Sequence, residues 1–458
     1  MTRLSLVAGC AALPLSLPLT ALAQDDDPSG RRYLLSGAQV ITMQGGWTPP
    51  APLDILIEDG KIARIDADIE AADATEIDLS GHLLTPGLVD SHWHMWNTIA
   101  RGYERSDQGG FAGTMKPLSG AWTPEASALS VELGMALAVN SGITYVNNWA
   151  HNVKAPEFAD AEIAAMAASG VRGRFSYGYP QALGQGALMD LADLETTQSD
   201  WPEDSLIGLG VSLRGPDRST PEIWTQEITK ARDLGLPVTF HMGGAPEAAE
   251  KHNVAALAEQ KMLGKDIHVV HMTSAPEEDL RKLAEGGSPL IISPWTELEV
   301  GYGVPDPGMM KDAGLEMAVS VDNTVLAGQI NMFEVMRLTA DLADGHAHKQ
   351  QALPDADVFD WATRQGARSI MAPEGVGTLT EGGPADLIAI STEGLNTRPA
   401  ASPDFLLTHA AEPEDVSFVM IAGEIHKENG KLIRVDLGDL TARADAMMGD
   451  LAAQAGVQ

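Results

Sequence analysis

Between Thr85 and Pro373, short apolar runs alternate with longer stretches whose apolar residues recur at helical spacing. That is the pattern of a parallel sheet with crossover helices. Eight runs read as strands: 87–94, 143–151, 171–177, 206–213, 237–241, 267–271, 289–293 and 316–322. A polar loop and a helical stretch follow each one; Thr220-Pro221-Glu222 opens "EIWTQEITKARDLG", for example, with Gly235 as its stop. Eight such units predict an α/β protein built on a closed (β/α)8 TIM-like barrel. The flanks have a different character. Residues 33–79, 377–390 and 416–435 are strand-rich, with hairpin signals at Asp59-Gly60 and Asn429-Gly430. Strands from both ends are therefore expected to form one small β-sandwich, contributed by 24–84 and 374–437 around a barrel at 85–373. Residues 438–458 read as a C-terminal amphipathic helix.

Composition narrows the partners. With 44% hydrophobic and 21% charged residues the chain can bury a large core, which excludes wholesale disorder. Its 30 Lys and Arg against 64 Asp and Glu give a formal charge of -34, which repels phosphate backbones and anionic headgroups. Nucleic acid and a stable membrane association are accordingly not expected; a small-molecule substrate is, and a homo-oligomer stays open. Residues 1–23 combine basic Arg3, an apolar stretch and Ala21-Leu22-Ala23 ahead of acidic Gln24-Asp25-Asp26-Asp27, the layout of a cleaved signal peptide. The rival lipoprotein box Val7-Ala8-Gly9-Cys10 leaves only six residues after Arg3, short for an apolar region. An exported, periplasmic chain would lose its one cysteine, Cys10, with the signal, which excludes disulfides and thiol catalysis.

The chemistry concentrates at strand ends. His92-Trp93-His94 closes the first strand, and period-2 geometry points both imidazoles to one face, where they can meet one metal; two satisfied polar side chains would share that spacing. His241 and His271 begin matching sequences, "HMGGAPE" and "HMTSAPE", so both fall at the C-terminal barrel face. His268, three residues earlier, should face away from His271 and is read as structural. Asp322 ends the eighth strand, where a helix cap is the plain alternative. Trp93, Trp96 and Trp149, with Trp295, cluster near the expected mouth, either lining an apolar pocket or packing loops. Arg101 and Arg214 are candidates for an anionic substrate group or for loop ion pairs. Gly184-Gln-Gly186 and Gly208-Leu-Gly210 lack the context of a nucleotide loop, which argues against NAD and ATP.

Thr85-Pro-Gly-Leu-Val-Asp-Ser-His-Trp-His94 resembles the first-strand signature of the amidohydrolase superfamily of metal-dependent hydrolases. Gly377-Thr-Leu-Thr-Glu-Gly-Gly-Pro-Ala-Asp-Leu387 resembles its closing signature and Asp322 its eighth-strand aspartate. The stretches "LAVNSGITYVNNWAH" and "NMFEVMRL" are similar to the branch that contains cytosine deaminase and the triazine chlorohydrolases. The resemblance covers almost all of the chain after the signal. It implies that His92, His94, His241 and Asp322 ligate one divalent ion, that Asp322 also serves as general base, and that His271 contacts the substrate. Three imidazoles and a carboxylate suit Zn²⁺, with Fe²⁺ or Mn²⁺ as other occupants. Such an ion brings the pKa of water from about 15.7 towards about 7. Binuclear members often carry a bridging lysine on the fourth strand; "GLGVSLRG" has none, so one ion is expected.

The deaminase branch usually places a proton-shuttling glutamate three residues after the fifth-strand histidine, where this chain has Gly244. Glu297 in "SPWTELEVGYG" and His151 are candidate replacements, and Asp322 acting unaided is a third. Substrate contacts are sought at Trp93, Trp96, His151, Glu297 and Arg214. The expected function is an exported, mononuclear hydrolase that cleaves a non-peptide carbon–nitrogen bond in a small amide, amidine or heterocycle. A ring deaminase or dehalogenase, or an impaired small-molecule-binding protein, are the alternatives.

Overall fold

A computed structural model describes residues 31–105, 109–399 and 402–457. The signal-peptide reading of 1–23 lies outside the described residues, as does the acidic start of the chain after it. Eight parallel strands follow one another in sequence order around the barrel: Leu88–Trp93, Ile143–Ala150, Arg172–Tyr177, Ile207–Leu213, Val238–Met242, Ile267–His271, Leu290–Ile292 and Met317–Val319. Their near-continuous apolar character follows from burial on both faces, with side chains filling the lumen and helices covering the outside. Ile143–Ala150 is buried at every position. The seventh and eighth strands are only three residues each, so Asp322 stands beyond its strand, at φ 64°.

The barrel closes where these short ends meet. Trp93 and Asp322 form a parallel bridge: the His94 N–H donates to the Asp322 carbonyl at 2.7 Å, and the Asp322 N–H to the His92 carbonyl at 3.1 Å. One layer deeper, the fully buried Asp90 carboxylate accepts from His92 N–H and Val321 N–H, each at 3.0 Å. It thereby ties the first strand to the segment after the eighth. Burial pushes the Asp90 carboxyl up to about 8, against the pull of those two N–H groups.

Two sheets flank the barrel. The strands Lys61–Asp66, Asp54–Glu58, Arg32–Ser36 and Thr75–Asp78 make one in that order. In the other, Leu387–Ser391 from the C-terminal part pairs antiparallel with His82–Pro86 from the N-terminal part. They share a core that includes Leu35, Ile55, Ile57, Leu84, Leu387 and Phe418. Asp59-Gly60 and Asn429-Gly430 both turn their hairpins with positive φ at the two central residues, as type I′ turns require. Strand His82–Pro86 leads straight into the first barrel strand through Gly87, where a Cβ would lie 2.0 Å from Thr144 Oγ1, so only glycine fits. The helix Leu437–Ala455, capped by Asp436, lays Leu440, Ala444, Met448 and Leu451 at helical spacing on Leu118 and Trp122. No helix among the described residues is long and apolar enough to cross a membrane.

Asp90→Ala removes the acceptor of two buried N–H groups. It should cost about 2–5 kcal/mol in chemical denaturation, with Asp90→Asn intermediate; stability within about 0.5 kcal/mol of wild type would show that the closure does not depend on this carboxylate.

Candidate metal centre

Five side chains meet at the C-terminal face. His92 and His94 arrive from the first strand, His241 from the fifth, His271 from the end of the sixth and Asp322 from beyond the eighth. All five are buried. His271 and Asp322 adopt φ of 85° and 64°, left-handed conformations that turn both away from strand geometry into the lumen. The His241 Nε2 lies 3.2 Å from the Nε2 atoms of both His92 and His94, and Asp322 Oδ1 lies 3.3 Å from those same two atoms. Ligands at about 2.0–2.1 Å in a tetrahedron sit about 3.3–3.4 Å apart, so this donor set has the edges of a zinc-sized polyhedron. The sets His92, His94, His241 and His92, His271, Asp322 each bring their donor atoms within 4.8 Å of one another.

A hydrogen bond behind the cluster fixes the tautomer of His94. The Trp149 carbonyl is 3.3 Å from His94 Nδ1, so that nitrogen carries the proton and Nε2 keeps its lone pair for a cation. Burial holds His92, His94 and His241 below the ordinary histidine range and so favours neutral imidazoles. Burial would raise the Asp322 carboxyl, but the His92 hydrogen bond and the neighbouring imidazoles outweigh it and keep the group ionised. Thr296 donates to Asp322 Oδ2 at 2.6 Å and Asn323 to Oδ1 at 3.2 Å, fixing the rotamer.

The aromatic candidates occupy other places than the mouth. Trp149 is the floor of the centre, with its ring centroid 4.1 Å from His241, 4.5 Å from His94 and 5.5 Å from His92. Trp93 points out of the lumen, opposite to His92 and His94, towards Gly134 on the helix outside. Trp96 is buried against Trp122 and donates from Nε1 to His151 Nδ1 at 3.1 Å. Neither Trp93 nor Trp96 lines the cavity above the cluster. Trp295 borders a separate crevice beside Val321 and Val335.

Arg214 is likewise withdrawn, donating to the carbonyls of Gly184 and Ala187 and to Glu227 Oε1 at 3.1 Å. Arg101 sits by the C-terminal helix. Glu297 is wholly buried and faces no substrate space. Its Oε1 accepts from His271 Nδ1 at 3.0 Å and from Ser293 N–H at 2.9 Å, so it positions His271. His151 does line the cavity. A tryptophan N–H can only donate, so His151 Nδ1 accepts and its proton sits on Nε2. Burial lowers this imidazole to about 3. His268 is buried away from the cavity.

The cavity holds about 1000 Å³, with His94, His241, His271 and Asp322 at its base. Two residues that sequence reasoning passed over stand in its wall, Arg218 and Tyr302. Tyr302 packs its ring 5.1 Å from that of His271 and directly over Gly244. A Cβ at Gly244 would lie 2.8 Å from two ring carbons, so the tyrosine fills the room that a side chain there would need. No periodicity announces this contact; "GYG" after "TELEV" is its only trace in the sequence.

The amidohydrolase family model matches residues 83–426. A 5-methylthioadenosine/S-adenosylhomocysteine deaminase of Nitratidesulfovibrio vulgaris (strain DP4) is 27% identical over 427 residues, 89% of this chain and 94% of that protein. One from Haloquadratum walsbyi is 25% identical over 84% of this chain and 90% of its own length. Among solved structures, an adenosine deaminase from Xanthomonas campestris with bound zinc superposes with a TM-score of 0.83 at 22% identity, covering 93% of this chain and 100% of that one. An atrazine chlorohydrolase from Arthrobacter aurescens complexed with zinc gives 0.80 at 20% identity, covering 91% and 100%.

Gly244→Ala should destabilise the protein by about 1–3 kcal/mol through overpacking on Tyr302, and Tyr302→Ala should suppress most of that loss in a double-mutant cycle read by denaturation. A Gly244→Ala protein as stable as wild type would show that the ring is free to move aside.

Proposed function

The chain belongs to the amidohydrolase family, and from that premise we propose that it is exported, binds a single divalent ion, zinc best suited, and hydrolyses a small amide, amidine or heterocycle. At the coarser level it is a metal-dependent hydrolase of carbon–nitrogen bonds other than peptide bonds. The observation that carries the reading is the convergence of His92, His94, His241 and Asp322 at edge lengths of 3.2–3.3 Å. The fourth strand offers no lysine for a second ion. When bound, the ion supplies Lewis acidity and a water acidified to near neutral pH.

The protein's own groups divide the proton work. Asp322, ionised and held by Thr296 and Asn323, accepts the proton of the attacking water as it adds to the carbon of the scissile bond. His271, held at Nδ1 by Glu297, turns Nε2 to the substrate and contacts the reacting group. Asp322 then returns its proton to the departing nitrogen as the carbon–nitrogen bond breaks. Tyr302 leaves no room for a carboxylate at position 244, Glu297 is committed to His271, and burial lowers His151 to about 3 with its Nδ1 taken by Trp96, so Asp322 carries that transfer. Ring deamination, the activity named for the relatives, is the second reading. The likeness along most of the chain favours it, and the filled space over Gly244 weighs against it.

The test is turnover of an amide, amidine and heterocycle panel by zinc-loaded chain recovered from the periplasm, whose intact mass should begin at Gln24. Asp322→Asn should lower kcat roughly 10²–10⁴-fold, and His271→Asn should also lower it. Undiminished turnover in Asp322→Asn would overturn the assignment of the base, and a chain retaining residues 1–23 would overturn export.

A further inference from the structure

Arg218 ends the short turn Gly215–Arg218 that follows the fourth barrel strand, and it opens onto the cavity that holds His94, His241, His271 and Asp322. It remains solvent-accessible through that cavity even though protein surrounds it. In a chain with 64 acidic residues against 30 basic ones, an arginine usually finds a carboxylate. This one forms no ion pair with a carboxylate among the described residues; it lines the cavity together with Tyr302, and Tyr179 is its other phenolic neighbour. The adjacent Asp217 spends its carboxylate elsewhere, on Gly243 N–H at 2.8 Å and Asn253 Nδ2 at 2.7 Å.

The other cations near the cavity differ. Arg105 pairs with Glu104 and Glu299. Lys154 is consumed by the carbonyls of Ser119, Gly120 and Trp122 at 2.7–3.1 Å. Lys116 lies exposed at the rim.

The donors around Arg218 point one way. A guanidinium has no acceptor, so towards any phenolic oxygen or ligand it can only donate. That leaves the Tyr302 O–H proton free to turn towards the cavity. The Tyr179 and Tyr302 hydroxyls are held above the ordinary tyrosine range by burial, Tyr179 at about 12, so neither neutralises the cation. His151, on the same cavity, presents its Nε2–H because Trp96 occupies Nδ1. Arg218, Tyr302 and His151 thus bring donors to the same cavity that has Asp322 at its base. Donors of this kind complement a group that only accepts, and a planar guanidinium fork matches a carboxylate.

We propose that the substrate carries a carboxylate, bound by Arg218 with Tyr302 and His151, while its carbon–nitrogen bond lies over the centre formed by the histidines and Asp322. This rests on the hydrolase reading above and adds the chemical class that the cavity selects. The negative charge of the chain repels anions at long range, so recognition of this group is local and strongly directional.

The test uses matched pairs of N-acetyl and N-carbamoyl amino acids against the corresponding C-terminal carboxamides, which keep the shape and lose the charge. Calorimetric titration of the full chain, zinc-loaded and metal-free, is run beside turnover, for wild type, Arg218→Lys, Arg218→Met and Tyr302→Phe. The metal-free arm separates carboxylate binding at Arg218 from binding to the ion. Wild type should favour the acids at least about tenfold in Kd; Arg218→Met should abolish the ratio, Arg218→Lys should keep part of it and Tyr302→Phe should reduce it. No preference in wild type, or a preference that survives Arg218→Met, overturns the proposal. The two readings fail separately. Acids bound through Arg218 but not cleaved would remove the hydrolase reading and leave the anion site standing, whereas acids and carboxamides cleaved alike would do the reverse.

Discussion

The closure of the barrel between its first and eighth strands is the constraint on which the centre depends. The same peptide groups that close it, at His92, His94 and Asp322, belong to residues whose donor atoms meet at the centre. Asp90 reinforces this seam from below with two further hydrogen bonds. Donors at positions 92, 94 and 322 are brought together only when the last strand docks on the first, so completing the fold and completing the site are one event. A seam that slipped by one residue would turn every lumen-facing side chain outward.

Around that seam the protein solves the problem of burying several polar rings. Trp149 gives three imidazoles an apolar floor, and His94 Nδ1, His271 Nδ1 and Asp322 Oδ2 are each held by a partner behind them. Burial disfavours the charged form of the histidines, while Asp322 stays ionised because His92, Thr296 and Asn323 donate to its carboxylate. A cation would satisfy this arrangement better than a proton would, since His241 Nε2 lies 3.2 Å from two other ring nitrogens and one proton can bridge only one of those pairs.

Much of this was legible in the sequence, and the limits have physical reasons. Parallel barrel strands are buried on both faces and so read as apolar runs, and period 2 put His92 and His94 on one face. The matched "HMGGAPE" and "HMTSAPE" segments set His241 and His271 in register. The eighth strand proved shorter than the apolar run suggested, because Asp322 leaves strand geometry in a left-handed conformation that no composition rule foretells. Trp93 faces away from the lumen by the same period that aims His92 inward. Glu297, Trp96 and Arg214 were legible as polar or aromatic residues near strand ends, but their directions come from packing in three dimensions. Arg218 and Tyr302 sit on connecting segments with no period at all. Their roles follow only from what stands beside them: the cavity over the centre in one case and a glycine without a side chain in the other.

The central claim is that side chains from the first, fifth and eighth strands form one cation site. Elemental mass spectrometry of the purified chain, after loosely bound ions are removed and beside His92→Ala and His241→Ala variants, tests it most directly. The account predicts about one equivalent of zinc, iron or manganese per chain, lost in both variants. Two equivalents, or none even after reconstitution, would contradict it.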